Sequence, residues 1–174
     1  MSNAKRQRKL CILGDFSVGK TSLVRRYTCN EFSDNYVATA GAKIHQHQSK
    51  IEVGSEEIEV EQSIWDVEGS QYGEQLVKSY IAGASGALIV GDLTRDDMLA
   101  SMTSHAEKFL AYRPGRPVVF ALNKSDLVAK EERADGAELV RNFGGQVIQT
   151  SALTGEEVIA VFHAMYRRIL EIGA

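Results

Sequence analysis

The sequence has little cysteine, little proline and no long apolar run. Its two cysteines, Cys11 in an apolar stretch and Cys29 near the end of a predicted helix, make neither a disulfide framework nor a zinc-ligand spacing, so a reducing cytoplasm is the expected setting. Two prolines among 174 residues leave no Pro-rich linker. No stretch approaches the roughly 20 apolar residues that span a bilayer, and the N-terminus lacks a signal peptide's apolar core, so a soluble chain is expected. Excess positive charge is missing too. A formal net charge of −3 argues against a protein whose main partner is a nucleic acid, because backbone affinity comes from clustered Lys and Arg.

The one dense basic run, Lys5-Arg6-Gln7-Arg8-Lys9, reads as a solvated, flexible leader over 1–8, and Met1-Ser2-Asn3-Ala4 resembles an expression-tag remnant. What remains, 9–174, has a length and composition, 44% hydrophobic and 25% charged, that suit one compact domain. Short apolar runs at 9–13, 42–53, 57–66, 87–91, 118–122 and 146–150 read as strands. Amphipathic stretches at 20–29, 72–80, 95–112, 131–143 and 156–171 read as helices. Val53-Gly54-Ser55-Glu56 marks a hairpin turn and Arg113-Pro114-Gly115 a break. Strand and helix alternate, which predicts an α/β fold with a mostly parallel sheet, helices on both faces and ligands bound beyond the carboxyl ends of the strands.

Gly14-Asp15-Phe16-Ser17-Val18-Gly19-Lys20-Thr21 matches G-x-x-x-x-G-K-[ST] between a predicted strand and a predicted helix. In that setting loop N–H groups and the helix N-terminus face phosphates, Lys20 reaches the terminal phosphates and the Thr21 hydroxyl ligates magnesium. Asp15, Phe16, Ser17, Val18, Gly19, Lys20, Thr21 and Ser22 are therefore expected around the nucleotide. The base is read elsewhere, at Asn123-Lys124-Ser125-Asp126. A carboxylate at Asp126 accepts from both N1 and N2 donors of guanine, a pair adenine lacks. Asn123 either braces the loop or contacts the base edge, and the Lys124 stem lies over the ring. Thr150-Ser151-Ala152 can supply backbone and hydroxyl contacts to the guanine carbonyl.

GDFSVGKT, Thr39, WDVEG, NKSD and TSA, in that order, resemble the Ras superfamily of small GTPases over nearly the whole chain, with Trp65 leaning toward its Rab-like branch. The resemblance implies a three-layer P-loop NTPase fold, a six-stranded sheet with one antiparallel edge strand, and cycling between GTP and GDP with Mg2+. Carried onto these residues, it implies Thr39 and Asp66 as further magnesium ligands, the latter usually through water. It also puts Gly69 N–H at the terminal phosphate, Phe32 and Tyr36 at the nucleotide, and switch segments at 32–43 and 66–81 for effectors and regulators. Tyr72, Tyr80 and Ile81 fall in the second of these, as a partner surface or as packing on a helix.

The chain departs from the family at several places. The water-orienting Gln after Gly69 is Ser70 here, too short for the task, and Gln71 lies one position late. Val67-Glu68 replaces Thr-Ala. Phe16 stands where the family has a small residue beside the terminal phosphate, and its ring would crowd an incoming arginine finger. Leu153 replaces the Lys of S-A-K next to the base. No cysteine lies near Ala174 for a prenyl anchor, so either the protein is not lipidated or a tail is trimmed, and work on membranes would need recruitment through a partner. These features predict a monomeric GTPase with slow hydrolysis, Lys20, Thr39, Gly69, Ser70 and Gln71 forming its catalytic centre; the alternative is a nucleotide-bound scaffold that does not hydrolyse. His45 and His47 share an edge-strand face expected to be exposed, and His105 and His163 are read as surface or boundary residues.

Overall fold

The computed structural model describes residues 6–35, 41–68 and 74–173. Tyr36, Thr39, Gly69, Ser70, Gln71 and Tyr72, with the expectations attached to them, lie outside the described residues. In chain order the elements are β1 (Arg6–Leu13), α1 (Lys20–Cys29), β2 (Ala42–Val53), β3 (Glu56–Val67), α2 (Glu74–Ile81), β4 (Gly86–Asp92), α3 (Met98–Tyr112), β5 (Val118–Asn123), α4 (Ala137–Phe143), β6 (Gln146–Gln149) and α5 (Val158–Ile172). The six strands lie in the order β2-β3-β1-β4-β5-β6. β2 and β3 pair antiparallel across the Gly54-Ser55 turn, and the other neighbours run parallel.

The two-residue period of the central strands sorts their side chains into two cores. Leu10, Ile12, Leu88, Val90, Val119 and Ala121 face Leu23 and Val24 of α1 and Val161, Phe162 and Met165 of α5. Cys11, Leu13, Ala87, Ile89, Phe120 and Leu122 face the other way, toward Ile81, Met102, Phe109 and Leu139 on α2, α3 and α4. Both faces of β4 and β5 are thus covered, which is why those strands read as unbroken apolar runs. The parallel strands all point their carboxyl ends the same way, and the loops that follow β1, β5 and β6 meet there.

Four expectations need correction. First, β1 begins at Arg6: Arg6, Gln7 and Arg8 pair with Val60, Glu61 and Gln62 of β3, so the last three residues of the supposed leader are strand. Second, the stretch 131–143 is α-helical only from Ala137, after a short 3-10 turn over Lys130–Glu132. Arg133 is extended, its guanidinium donating to Val128 O at 3.0 Å and Ser125 O at 2.6 Å. Gly136 then takes a left-handed turn, where a Cβ would come 2.8 Å from the Val147 side chain. Tertiary contacts override the helix propensity of the charged run. Third, α3 starts at Met98 rather than Arg95, because Asp92 Oδ1 accepts from Thr94 N and Oγ1 and holds a turn there.

The fourth correction concerns the histidine face of β2. His45, His47, Ser49 and Ile51 turn inward, and it is the alternate residues Gln46 and Gln48 that are exposed. His47 lies 4.9 Å from the Tyr27 ring, which stacks on Phe162 at 4.1 Å, and His163 approaches the same tyrosine edge-on. Burial is the main cause that lowers the pKa of His45, His47 and His163; for His163 nearby Arg167 adds to it. The unfolded chain then binds protons that the folded one resists. Stability is expected to be level above a pH of roughly 6.5, the ordinary histidine value, and to fall as pH drops below it. Urea midpoints at pH 7.5 and 5.5, at fixed nucleotide and magnesium, check this, and His47→Gln with His163→Gln should flatten the loss.

Candidate functional site

The loop after β1 is shaped by two glycines that nothing else can replace. At Gly14 a Cβ would sit 2.3 Å from Val90 O, and at Gly19 it would sit 2.3 Å from Asn123 Nδ2, each at positive φ. The second close approach lets Asn123 Nδ2 donate to Val18 O at 3.0 Å. Asn123 Oδ1 in turn accepts from Thr150 Oγ1 and Ala152 N. At 1% exposure, Asn123 therefore joins three loops as a brace.

Lys20, at the start of α1, is 7% exposed. Its ammonium donates to Gly14 O at 2.9 Å and Asp15 O at 2.7 Å, folding back over the loop that it follows. Burial pulls its pKa down to about 8, against the opposing pull of Asp66, Asp15 and Glu68. Thr21 Oγ1 donates to Asp66 Oδ2 at 2.5 Å, bringing a hydroxyl and a fully buried carboxylate together beside Lys20. At the edge of the same region Gly41 N donates to Glu68 Oε2 and Glu68 N to Gly41 O. The unusual Glu68 thus ties together the two ends of the described segment 41–68.

The loop after β5 is equally constrained. Lys124 adopts left-handed backbone, and its ammonium lies 2.7 Å from Asp92 Oδ2 while donating to Ser17 O at 2.9 Å. Burial would raise the Asp92 pKa, but hydrogen bonds from Lys124 and Thr94 outweigh it and hold the carboxyl below its ordinary value. Ser125 N donates to Thr150 O and Ser125 Oγ to Glu156 Oε2. Ser151 Oγ donates to Asp126 Oδ1 at 2.6 Å, orienting an exposed carboxylate.

These loops enclose one cleft of about 790 Å³. Lys20 and Thr21 line one part of it, and Asn123, Lys124, Asp126, Ala152 and Leu153 another. Phe16, Ser17, Gly19, Ser22 and Phe32 also reach it. Among the described residues, four predicted site residues do not line it: Val18 is buried in the core, Asp66 and Ser151 stand behind Thr21 and Asp126, and the Asp15 side chain turns away toward α3. The loop after β1, with its buried lysine, thus shares a cleft with the oriented Asp126 carboxylate.

The Ras family model matches residues 9–171. The chain belongs to the Ras family. It is 30% identical over 173 residues to Ras-related protein Rab-31 of Mus musculus, covering 98% of this chain and 87% of that protein. It is 32% identical to Ras-related protein RABA5c of Arabidopsis thaliana, covering 92% and 75%, and 32% identical to Ras-related protein Rab-17 of Mus musculus, covering 94% and 76%. The protein is a Rab-like small GTPase, and the sheet with its single antiparallel strand is the fold of that family. Ras-family proteins are GTP-binding switches and GTPases that bind guanine nucleotide, generally with Mg2+. Among the described residues no helix is long and apolar enough to cross a membrane.

Several supporting residues lie outside the motifs. Arg26 of α1 donates to Ala152 O at 2.9 Å and Leu153 O at 2.7 Å, pinning the loop after β6 to the first helix. Asp92 anchors Lys124, and Glu156 anchors Ser125. Arg26 belongs to no motif, because its partners are backbone carbonyls 126 and 127 residues away. Phe16 and Leu153, both departures from the family pattern, are each 46% exposed on the cleft.

Proposed function

We propose that this Rab-like domain, taken as 9–174, is a guanine-nucleotide switch that holds GTP or GDP with one Mg2+ and hydrolyses GTP slowly. The observation that carries the reading is the single cleft shared by Lys20 and Thr21 on one side and Asp126 on the other. Loop amides from Asp15 to Ser22 and the Lys20 ammonium offset phosphate charge. Asp126, held by Ser151, takes the two guanine donors, Phe32 and Leu153 flank the nucleoside, and Ala152 faces the guanine carbonyl.

Magnesium fits the donor set. Thr21 and Asp66 offer hard oxygens that already touch, and Mg2+ binds through one or two carboxylates or hydroxyls while keeping waters and phosphate oxygens. When bound, the ion neutralises charge that develops on the transferring phosphoryl group. Thr39 is assigned as its further ligand, Tyr36 as a nucleotide contact and Gly69 N–H as a phosphate donor, by family resemblance. Slow hydrolysis rests on Ser70 in place of the water-orienting Gln, with Gln71 one position late, and on exposed Phe16 at the cleft. Effectors and regulators would meet segments 32–43 and 66–81. The domain would act as a cytoplasmic monomer that reaches membranes through a partner.

The test is competition and chelation on protein loaded with a fluorescent GDP. GTP and GDP should displace the probe while ATP and ADP at the same concentration do not, and EDTA should speed its release. Equal displacement by ATP, or release indifferent to EDTA, would sink the reading.

A further inference from the structure

Asp15 places a carboxylate inside a loop whose task is to bind anions, and a negative side chain there works against phosphate. The structure shows how that charge is handled. Ser101 Oγ, on α3, donates to Asp15 Oδ2. His105, one turn further along α3, has Nε2 2.8 Å from Asp15 Oδ1, and a carboxylate can only accept there. Arg95 Nη1 stands 3.9 Å from Oδ2. The carboxyl is held below its ordinary pKa: burial pushes it up, but the hydrogen bonds from Ser101 and His105 and the nearby His105 and Arg95 outweigh it. His105 is thus neither a bare surface residue nor a core one.

We infer that Ser101 and His105 are positioning residues for nucleotide retention: they draw the Asp15 carboxylate away from the phosphates and make α3 a control point for nucleotide release. The inference rests on the guanine-nucleotide reading of the cleft. Two donors and a guanidinium fix both carboxylate oxygens on the α3 side, so the loop presents its amides and not its acid to the ligand. Without them the Asp15 side chain is released to rotate toward the phosphates, where two negative groups a few ångströms apart repel in a poorly screened site. The cost would appear in release, since a change that weakens an already formed complex acts mainly on the off-rate. Any partner that displaces Ser101 or His105 would loosen the nucleotide without touching it.

The experiment measures release of a fluorescent GDP from the full chain, chased with excess GDP at constant Mg2+. Ser101→Ala combined with His105→Phe should release about fivefold faster than wild type. Adding Asp15→Ala to that pair should bring release back to that of Asp15→Ala alone, because the repelling charge is gone. His105→Gln, which keeps a donor for Oδ1, should stay close to wild type where His105→Phe does not. A triple variant that releases as fast as the double one would overturn the inference and leave only a packing role for α3, as would a double variant that releases at the wild-type rate. Wild-type protein that takes up no labelled GDP would overturn the nucleotide reading itself, and this inference with it.

Discussion

Asp126→Asn should lower GDP affinity by roughly 10²–10³-fold and raise affinity for xanthosine diphosphate, because it removes charge-assisted hydrogen bonds worth about 1.5–3 kcal/mol each. Guanine presents N1–H and N2–H donors side by side, and only an acceptor pair satisfies both. An amide offers one acceptor and one donor, which clashes with the N2 donors but matches the N1–H and carbonyl that xanthine presents at the same edge. The effect depends on Asp126 being oriented before the base arrives. Ser151 Oγ supplies that orientation at 2.6 Å, so Ser151→Ala should weaken GDP binding in the same direction by a smaller factor. Calorimetric titration of nucleotide-stripped variants with both diphosphates checks the pattern. Unchanged GDP affinity in Asp126→Asn would place the base elsewhere.

Ser70→Gln should speed single-turnover GTP hydrolysis by about ten- to a hundredfold. Positioned groups that orient or deprotonate an attacking nucleophile contribute roughly 10²–10⁴, and a Gln placed in a loop not adapted to it recovers only part of that. The side chain must span from the backbone to a water in line with the terminal phosphate, which a serine hydroxyl is too short to do. Gln71→Ala separates the two candidates for the task. If Gln71→Ala slows the wild-type reaction and Ser70→Gln does nothing, the neighbouring glutamine already orients the water and hydrolysis is not slow for want of one.

What the sequence made legible was whatever depends on residues close together in the chain. The glycines of GDFSVGKT mark a tight loop because Gly14 and Gly19 adopt positive φ against Val90 and Asn123. The strand runs of β4 and β5 stand out because both faces are buried. Motif order was enough to expect Lys20, Thr21 and Asp126 around one cleft, which they line. Contacts between distant segments were not legible. The helix expected at 131–143 loses its first part to the Arg133 guanidinium, whose carbonyl partners on the base loop leave no periodic trace. The histidines of β2 alternate with glutamines, and polarity alone does not tell which of the two sets faces α5; the registers of β2 with β3 and the Tyr27 ring decide it. His105 reads as an ordinary helix residue until Asp15, 90 positions earlier, is found beside it.

The most direct test of the central claim, a guanine-nucleotide switch that turns over slowly, is single-turnover hydrolysis of GTP by the purified, Mg2+-saturated wild-type protein. Unassisted hydrolysis by a Ras-type domain with its glutamine in place runs at roughly 3–5 × 10⁻⁴ s⁻¹. Stable GTP binding with a rate well below that figure is the predicted result; a rate at or above it, with Ser70 and Phe16 unaltered, would contradict the claim.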